Sequence, residues 1–451
     1  MTNKTNKMMG IILSMMIPIA TFAQEAESAG QKEMKTGWTL SALPCATYST
    51  DMGFQYGAFG DVYYYGDGNT YPDPLHKISW EVSHFTKGRT RFYLAYDSKY
   101  LIPKMRLTAS GTYIMDPLYN FYGFNAPAYP FNPDWNYNKD AGISFYNMRR
   151  DLARFQVDLR GKIAEHLHWG GGVSLWHFNA GDFDPKYGYD INNTAYRDYI
   201  NSGVIRSNEA TGGNRIELKA GIVFDNRDIE AAPNKGIWSE AYINGSPDVF
   251  SDGYNYLQFC ARWRQYISLP IHIFKAGDPV FAYHLAYQST IAGETPFFVK
   301  QNIALLNMNT MVSEGFGSSN TIRGTYANRI IADGYAWGNF ELRIKLFKFN
   351  LFGQYFYFAT NPFFDAGIIT KPTRVDEMAR LPQMVALAKS EGYSDTAQFI
   401  KDKAMVPLFT PGIGFKLAWN QNFIVSVEVA HNLNENLGDP LWLNIGMIYS
   451  F

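Results

Sequence analysis

The sequence predicts an all-β fold: a 16-stranded antiparallel transmembrane β-barrel with long extracellular loops, the sixth folded into the lumen. Three observations carry this. Successive segments alternate apolar and polar side chains with a period of two, as strands with one greasy and one wet face do. The wet faces carry charges of both signs, which suits a hydrated lumen, because lone charges in an apolar core are very costly. Finally, 31 Tyr, 33 Phe, 10 Trp and 39 Gly accompany a mean hydropathy of only −0.23. Heavy aromatics at moderate hydropathy fit lipid-facing strands bordered by aromatic girdles.

From the start of the chain, residues 1–23 read as a cleaved export signal. Lys4 and Lys7 give the positive end, Met8 to Ile19 the apolar stretch, and Thr21-Phe22-Ala23 small residues at the two positions a peptidase reads before Gln24. That apolar stretch is shorter than the ~20 residues a membrane helix needs. Residues 24–37 are expected to form a short periplasmic segment and residues 38–451 the barrel. Cys45 and Cys260 cannot make a disulfide framework and read as ordinary strand residues. A net charge of −1 gives no electrostatic case for nucleic acid.

The strands show their faces directly. Ile216, Leu218, Ala220, Ile222 and Phe224 alternate with Arg215, Glu217, Lys219 and Asp225. Leu257, Phe259, Ala261 and Trp263 alternate with Gln258, Cys260, Arg262 and Arg264. Phe340, Leu342, Ile344 and Leu346 face away from Glu341, Arg343 and Lys345. Ile413, Phe415, Leu417 and Trp419 oppose Gly412, Gly414 and Lys416, and Val425, Val427 and Val429 oppose Ser426 and Glu428. The last strand runs Leu441, Leu443, Ile445, Met447, Tyr449, Phe451 on one face, with Trp442 and Ile448 as exceptions on the other. Long connections fall at residues 113–146, 179–212, 294–334 and 371–408, which are hairpins three, four, six and seven at one end. Short turns such as Phe347-Lys348-Phe349-Asn350 and Asn420-Gln421-Asn422 are expected at the other. Loop three, crowded with aromatics around Tyr129 to Trp135, is expected to pack as a cap. Residues 374–404 carry apolar side chains at helical spacing and predict one or two short surface helices.

One site stands out on physical grounds. Arg323 lies in Asn320-Thr321-Ile322-Arg323-Gly324, within long loop six. An arginine carried into a lumen needs charge partners, because a guanidinium does not deprotonate. Asp365 and Glu341 would project inward from adjacent strands, and Gly324 would allow close approach of the backbone. The competing reading is a surface arginine on an exposed loop.

These residues also resemble a family. Ile322-Arg323-Gly324 is similar to the loop-six tip of the bacterial surface-antigen superfamily, which holds BamA-type insertases and TamA-type and two-partner-secretion translocases. Thr325 stands where that family's aromatic usually sits, with Tyr326 one place later. Phe364-Asp365-Ala366-Gly367 resembles its barrel-wall motif, and Glu341 its inward glutamate one strand earlier. Phe224 to Asp228 with Pro233 to Gly236, and Asn120 to Asn125, resemble two further segments. Leu443 to Phe451, ending in Tyr449 and Phe451, resembles the terminal assembly signal. The resemblance implies a loop-six tether of Ile322, Arg323, Gly324, Asp365 and Glu341. It also implies a seam strand, carrying Asn444 and Gly446, where the first and last strands meet.

Well-studied members carry periplasmic POTRA domains, and residues 24–37 are too few to fold as one. The resemblance therefore implies a POTRA-less barrel in the outer membrane of a Gram-negative bacterium. It would meet outer-membrane lipids and take the missing periplasmic role from partner or lipoprotein subunits. Three readings stay open: assembly or translocation of outer-membrane proteins, a passive channel or lipid-handling pore, and a structural subunit of a surface complex. No enzyme is expected, since nucleophile-elbow, zinc, P-loop and Cys-x-x-Cys patterns are missing. No metal or cofactor is expected either; His166 and His168 beside Glu165 read as turn or girdle residues.

Overall fold

The computed structural model describes residues 34–126, 131–138, 140–187, 190–229, 232–272, 276–303, 313–351, 354–373, 380–390, 392–394, 405–419, 423–434, 437 and 441–446. The export signal, the turn Asn420–Asn422, Tyr449 and Phe451 lie outside them.

Sixteen strands form the wall. They are β1 (Trp38–Ser49), β2 (Gly53–Tyr64), β3 (His76–Phe85), β4 (Thr90–Ile102), β5 (Met105–Met115), β6 (Asn147–Lys162), β7 (Leu167–Gly181) and β8 (Gly212–Asp225). Then follow β9 (Gly236–Ser246), β10 (Tyr256–Ser268), β11 (Val280–Gly293), β12 (Gly334–Leu351), β13 (Gln354–Lys371), β14 (Leu408–Trp419), β15 (Phe423–Ala430) and β16 (Trp442–Gly446). Each pairs antiparallel with its sequence neighbour, and β16 closes on β1 through Ile445 opposite Tyr48 and Asn444 opposite Ser49. The sheet is a closed antiparallel barrel, so it has no free edge to satisfy.

The register follows the alternation. On β8, Leu218 and Ile222 are exposed while Arg215, Glu217 and Lys219 are buried. On β14 and β15, Ile413, Phe415 and Val427 face outward, and Lys416, Ser426 and Glu428 are buried. A slip of one residue would exchange these faces, so the pattern rules out single-residue slips and leaves the choice among even ones to side-chain contacts. An apolar outer belt around a charged interior is the arrangement that lipid outside and polar partners inside demand. Both cysteines are free and buried, Cys260 in a small cluster with Val223, Trp238 and Tyr242.

One expected turn is strand instead. Phe347 to Asn350 continues β12, with Phe349 opposite Phe356 and Leu351 opposite Gln354. The segment itself alternates aromatic and polar residues. Its rings stack on the neighbouring strand, Phe347 on Phe358 at 5.4 Å and Phe349 on Phe356 at 5.3 Å. Cross-strand aromatic pairs of this kind lengthen a hairpin. In the turn after β8, Asp228 Oδ1 accepts from the amides of Asn234 and Lys235 at 3.0 and 3.2 Å.

The four long loops meet in one apolar cluster. Loop three contributes Phe121, Tyr122 and Phe124, loop four Tyr196 and Tyr199, loop six Phe297 and Phe298, and loop seven Leu381 and Met384. The last two flank or lie on a helix, α1 (Pro382–Ser390), within the segment expected to be helical; Phe399 and Ile400 lie outside the described residues. Loop three thus packs as a cap through edge-to-face contacts, such as Phe121 on Tyr199 at 5.4 Å.

Candidate functional site: the loop-six arginine

Two strands present the carboxylates. In the β12–β13 pair, Asn339 lies opposite Asp365 and Glu341 opposite Phe363. Asn339, Glu341, Phe363 and Asp365 therefore share one face as two facing pairs, with the two acids on the diagonal. The next strand sets Thr410 beside Asp365. Further round, Lys416 on β14 reaches Glu428 on β15 at 3.3 Å.

Arg323 enters this face and is fully buried. Its Nε and Nη2 donate to Asp365 Oδ2 and Oδ1 at 2.8 and 2.7 Å, a bidentate fork, and its backbone N–H adds a third bond to Oδ2 at 3.0 Å. Nη1 donates to Glu341 Oε1 at 2.5 Å and lies 3.6 Å from Glu428 Oε1. The guanidinium also sits over the Phe363 ring, 3.5 Å from its centre. Arg343 Nε meets Glu341 Oε2 at 2.9 Å. The ion pairs thus join three cations, Arg323, Arg343 and Lys416, to three carboxylates, Asp365, Glu341 and Glu428. Opposite charges in equal number, each hydrogen-bonded, are what make a buried ionic cluster tolerable.

The backbone is shaped to deliver the arginine. Gly324 has φ +81°, and a Cβ there would strike the Thr410 methyl group and lie 3.1 Å from Ala430 Cβ. Both the conformation and the space require glycine. Thr321 closes a small turn, its Oγ1 donating to Gly317 O and accepting from Gly317 N, each at 2.7 Å. Asn339 Nδ2 donates to Thr321 O at 2.6 Å, adding a wall contact just before the arginine. Ile322 is buried beside Gly367 of the wall motif, where a Cβ would stand 2.9 Å from Ile322 Cδ1 and 2.8 Å from Phe316 Cζ. The glycine of Phe364-Asp365-Ala366-Gly367 is therefore the seat for loop six.

Thr325 is buried, with Oγ1 accepting from Asn432 Nδ2 at 3.1 Å. Tyr326, one place later, packs on Phe131 and Tyr122 at 5.6 and 5.9 Å. Arg329 is a second loop-six arginine drawn inside. It is fully buried, with Tyr122 and Phe131 rings 5.6 and 5.7 Å from its guanidinium.

All five tether residues come together. Asn444 and Gly446 lie on β16, at and just beyond its described pairing with β1. A Cβ on Gly446 would find its nearest neighbours at 3.4 and 3.5 Å, ordinary contact, so packing does not demand glycine there. His166 and Glu165 lie 4.0 Å apart on an exposed turn, and no cluster able to hold a metal exists among the described residues.

Sequence reading missed Glu428 and Lys416 as members of the cluster, although both were visible as inward charges. It also missed Asp51. This loop-one carboxylate is buried, with Oδ1 accepting from Ala327 N of loop six at 3.0 Å and Oδ2 from Trp442 Nε1 at 3.4 Å. Trp442, the exception to the alternation of the last strand, turns its ring inward for this contact.

No protein-family model and no curated protein matches this chain. Solved structures do. BamA from Haemophilus ducreyi lacking POTRA domains 1–3 matches with a TM-score of 0.54 at 14% identity, over 92% of this chain and 70% of that one. CdiB from Escherichia coli matches with a TM-score of 0.54 at 8% identity, over 91% of this chain and 62% of that one. At such identities the shared feature is the barrel fold. This chain spans less than two thirds of the CdiB chain.

Proposed function

We propose that this chain is an outer-membrane barrel of the insertase and translocase kind, taking part in assembly or translocation of outer-membrane proteins with partner subunits on the periplasmic side. In this reading loop six lies in the barrel lumen and Arg323 braces it to the wall. The seam between β1 and β16 is the place where the wall parts. The observation that carries it is the Arg323 fork on Asp365, completed by Glu341. A balanced ionic cluster fixes the geometry of a long loop more firmly than apolar packing alone, because each bond has a direction. The fold shared with BamA and CdiB supports the same reading.

The test is depletion of the protein followed by outer-membrane proteomics. Broad loss of β-barrel proteins is the result expected for assembly, and loss of one exported class for translocation. An unchanged outer membrane in depleted cells would turn the assignment toward a channel or a structural subunit.

A further inference from the structure

Loop six has a second anchor that the arginine cluster does not account for. It is at the seam. The turn between β1 and β2 places Thr50 and Asp51 beside the start of β16. Thr50 holds the backbone of Leu443: its N–H donates to Leu443 O at 3.2 Å, and its Oγ1 accepts from Leu443 N at 3.1 Å. Asp51 reaches past that pair to two different elements, the indole of Trp442 on β16 and the backbone of Ala327 in loop six. All three residues are buried, Asp51 at 2% exposure, Trp442 at 2% and Ala327 at 3%. Ala327 is four residues beyond Arg323 and next to Tyr326, whose ring packs into the loop cap.

One carboxylate therefore touches the first hairpin, the last strand and loop six together. Nothing in barrel closure alone requires this, since β1 and β16 are already joined by backbone pairing. The geometry points to Asp51 as a positioning residue: a latch that couples the placement of loop six to closure of the β1–β16 seam at its extracellular end. While loop six is seated, Ala327 N–H holds the carboxylate where Trp442 can reach it. Withdrawal of either partner frees the other. The latch is also suited to release. Burial pushes the Asp51 carboxyl up to about 6, so at neutral pH its charge is held out of water at a solvation cost that opening recovers.

This inference rests on the reading of the β1–β16 junction as a working seam, and its test separates the two. Cysteines at Ser49 and Asn444, opposed across the seam, report its closure by their rate of disulfide formation in outer-membrane preparations. A second pair, at Phe224 and Ser239 between β8 and β9, reports a wall position away from it. Both are placed in a chain with Cys45 and Cys260 changed to serine. Asp51→Ala and Trp442→Phe are each expected to slow seam cross-linking at least threefold and to leave the distant pair unchanged. Trp442→Phe removes the indole donor and keeps a smaller aromatic ring in its place, so it decides the matter if Asp51→Ala does not fold, with the distant pair reporting any general loss of packing. Unchanged seam cross-linking in a folded variant overturns the latch, and so does an equal loss at both pairs. Separately, assembly of client proteins that continues with the seam cross-linked would overturn the seam reading, whatever the latch variants show.

Discussion

Loop six is fastened at two places that are built in opposite ways. On the wall, Arg323 makes a fork and a backbone bond to Asp365, a further bond to Glu341 and a ring contact with Phe363. Two more cations and a third carboxylate back these up. At the seam, a single carboxylate makes one bond to each of two partners. The wall anchor is redundant and balanced in charge; the seam anchor is single and buried with its charge under solvation pressure. The difference separates a joint suited to permanence from one suited to release. Loop six can then keep its place on β12 and β13 while its far end responds to the state of the junction.

The largest effect should follow from breaking the permanent joint. Arg323→Ala leaves three carboxylates facing two cations, and removal of one partner of a buried ion pair costs about 3–5 kcal/mol. Barrel yield and resistance to unfolding, read by heat-dependent gel mobility, should fall sharply. Arg323→Lys should fall between the wild type and Arg323→Ala, because it keeps the charge and loses the fork. A mild effect of Arg323→Ala would erase the contrast between the two anchors.

A smaller loss is expected at the seat of the loop. Gly367→Ala puts a methyl group against Phe316 and Ile322, and overpacking of this kind costs about 1–3 kcal/mol. Loop six should become more open to protease while the wall stays intact. Arg329→Ala should cost about 1–2 kcal/mol through lost ring contacts, less than Arg323→Ala but not negligible. Equal effects at the two arginines would show that the ionic cluster adds nothing to burial.

The wall anchor was legible in the sequence and the seam anchor was not, for a physical reason. Arg323, Asp365 and Glu341 sit in patterned surroundings: strand alternation fixes the faces of the acids, and Gly324 marks the tight approach of the loop. The strand faces were legible on the same principle. Lys416 and Glu428 had the correct faces, but their pairing depends on register across β14 and β15, which alternation does not supply. Asp51 lies in a short turn, where periodicity says nothing about direction. Its partners are distant in sequence and one is a backbone amide, which no residue type announces. Trp442 did leave a trace, as the break in the apolar–polar alternation of β16. The Phe347 to Asn350 turn was misread because one lysine and one asparagine among aromatics look like a turn, whereas cross-strand stacking made them strand.

The smallest effect is a pH dependence confined to the seam, and its sign is fixed by burial. Asp51 has a carboxyl raised from 3.8 to about 6, chiefly by desolvation and opposed by the Ala327 amide, nearby Lys87, the Trp442 indole and Arg89. Tyr122, which also faces it, is held neutral by its own burial. A raised folded-state value means that the folded protein binds the proton more tightly than the unfolded chain. Stability from this group is therefore gained as pH falls through about 6 and is lost again as pH rises. Between pH 7.5 and pH 5.5 the gain is on the order of 1 kcal/mol. The rate of seam cross-linking relative to that of the Phe224–Ser239 pair, a ratio that cancels the common loss of thiolate, should accordingly rise on acidification of the wild type, as the neutral carboxyl rests in place without the cost of a buried charge. Asp51→Asn, neutral at every pH, should lack that rise, and the difference between the two profiles removes the contribution of other titrating groups. Parallel profiles would mean that the seam does not sense this carboxylate, and the two anchors would then differ in strength alone.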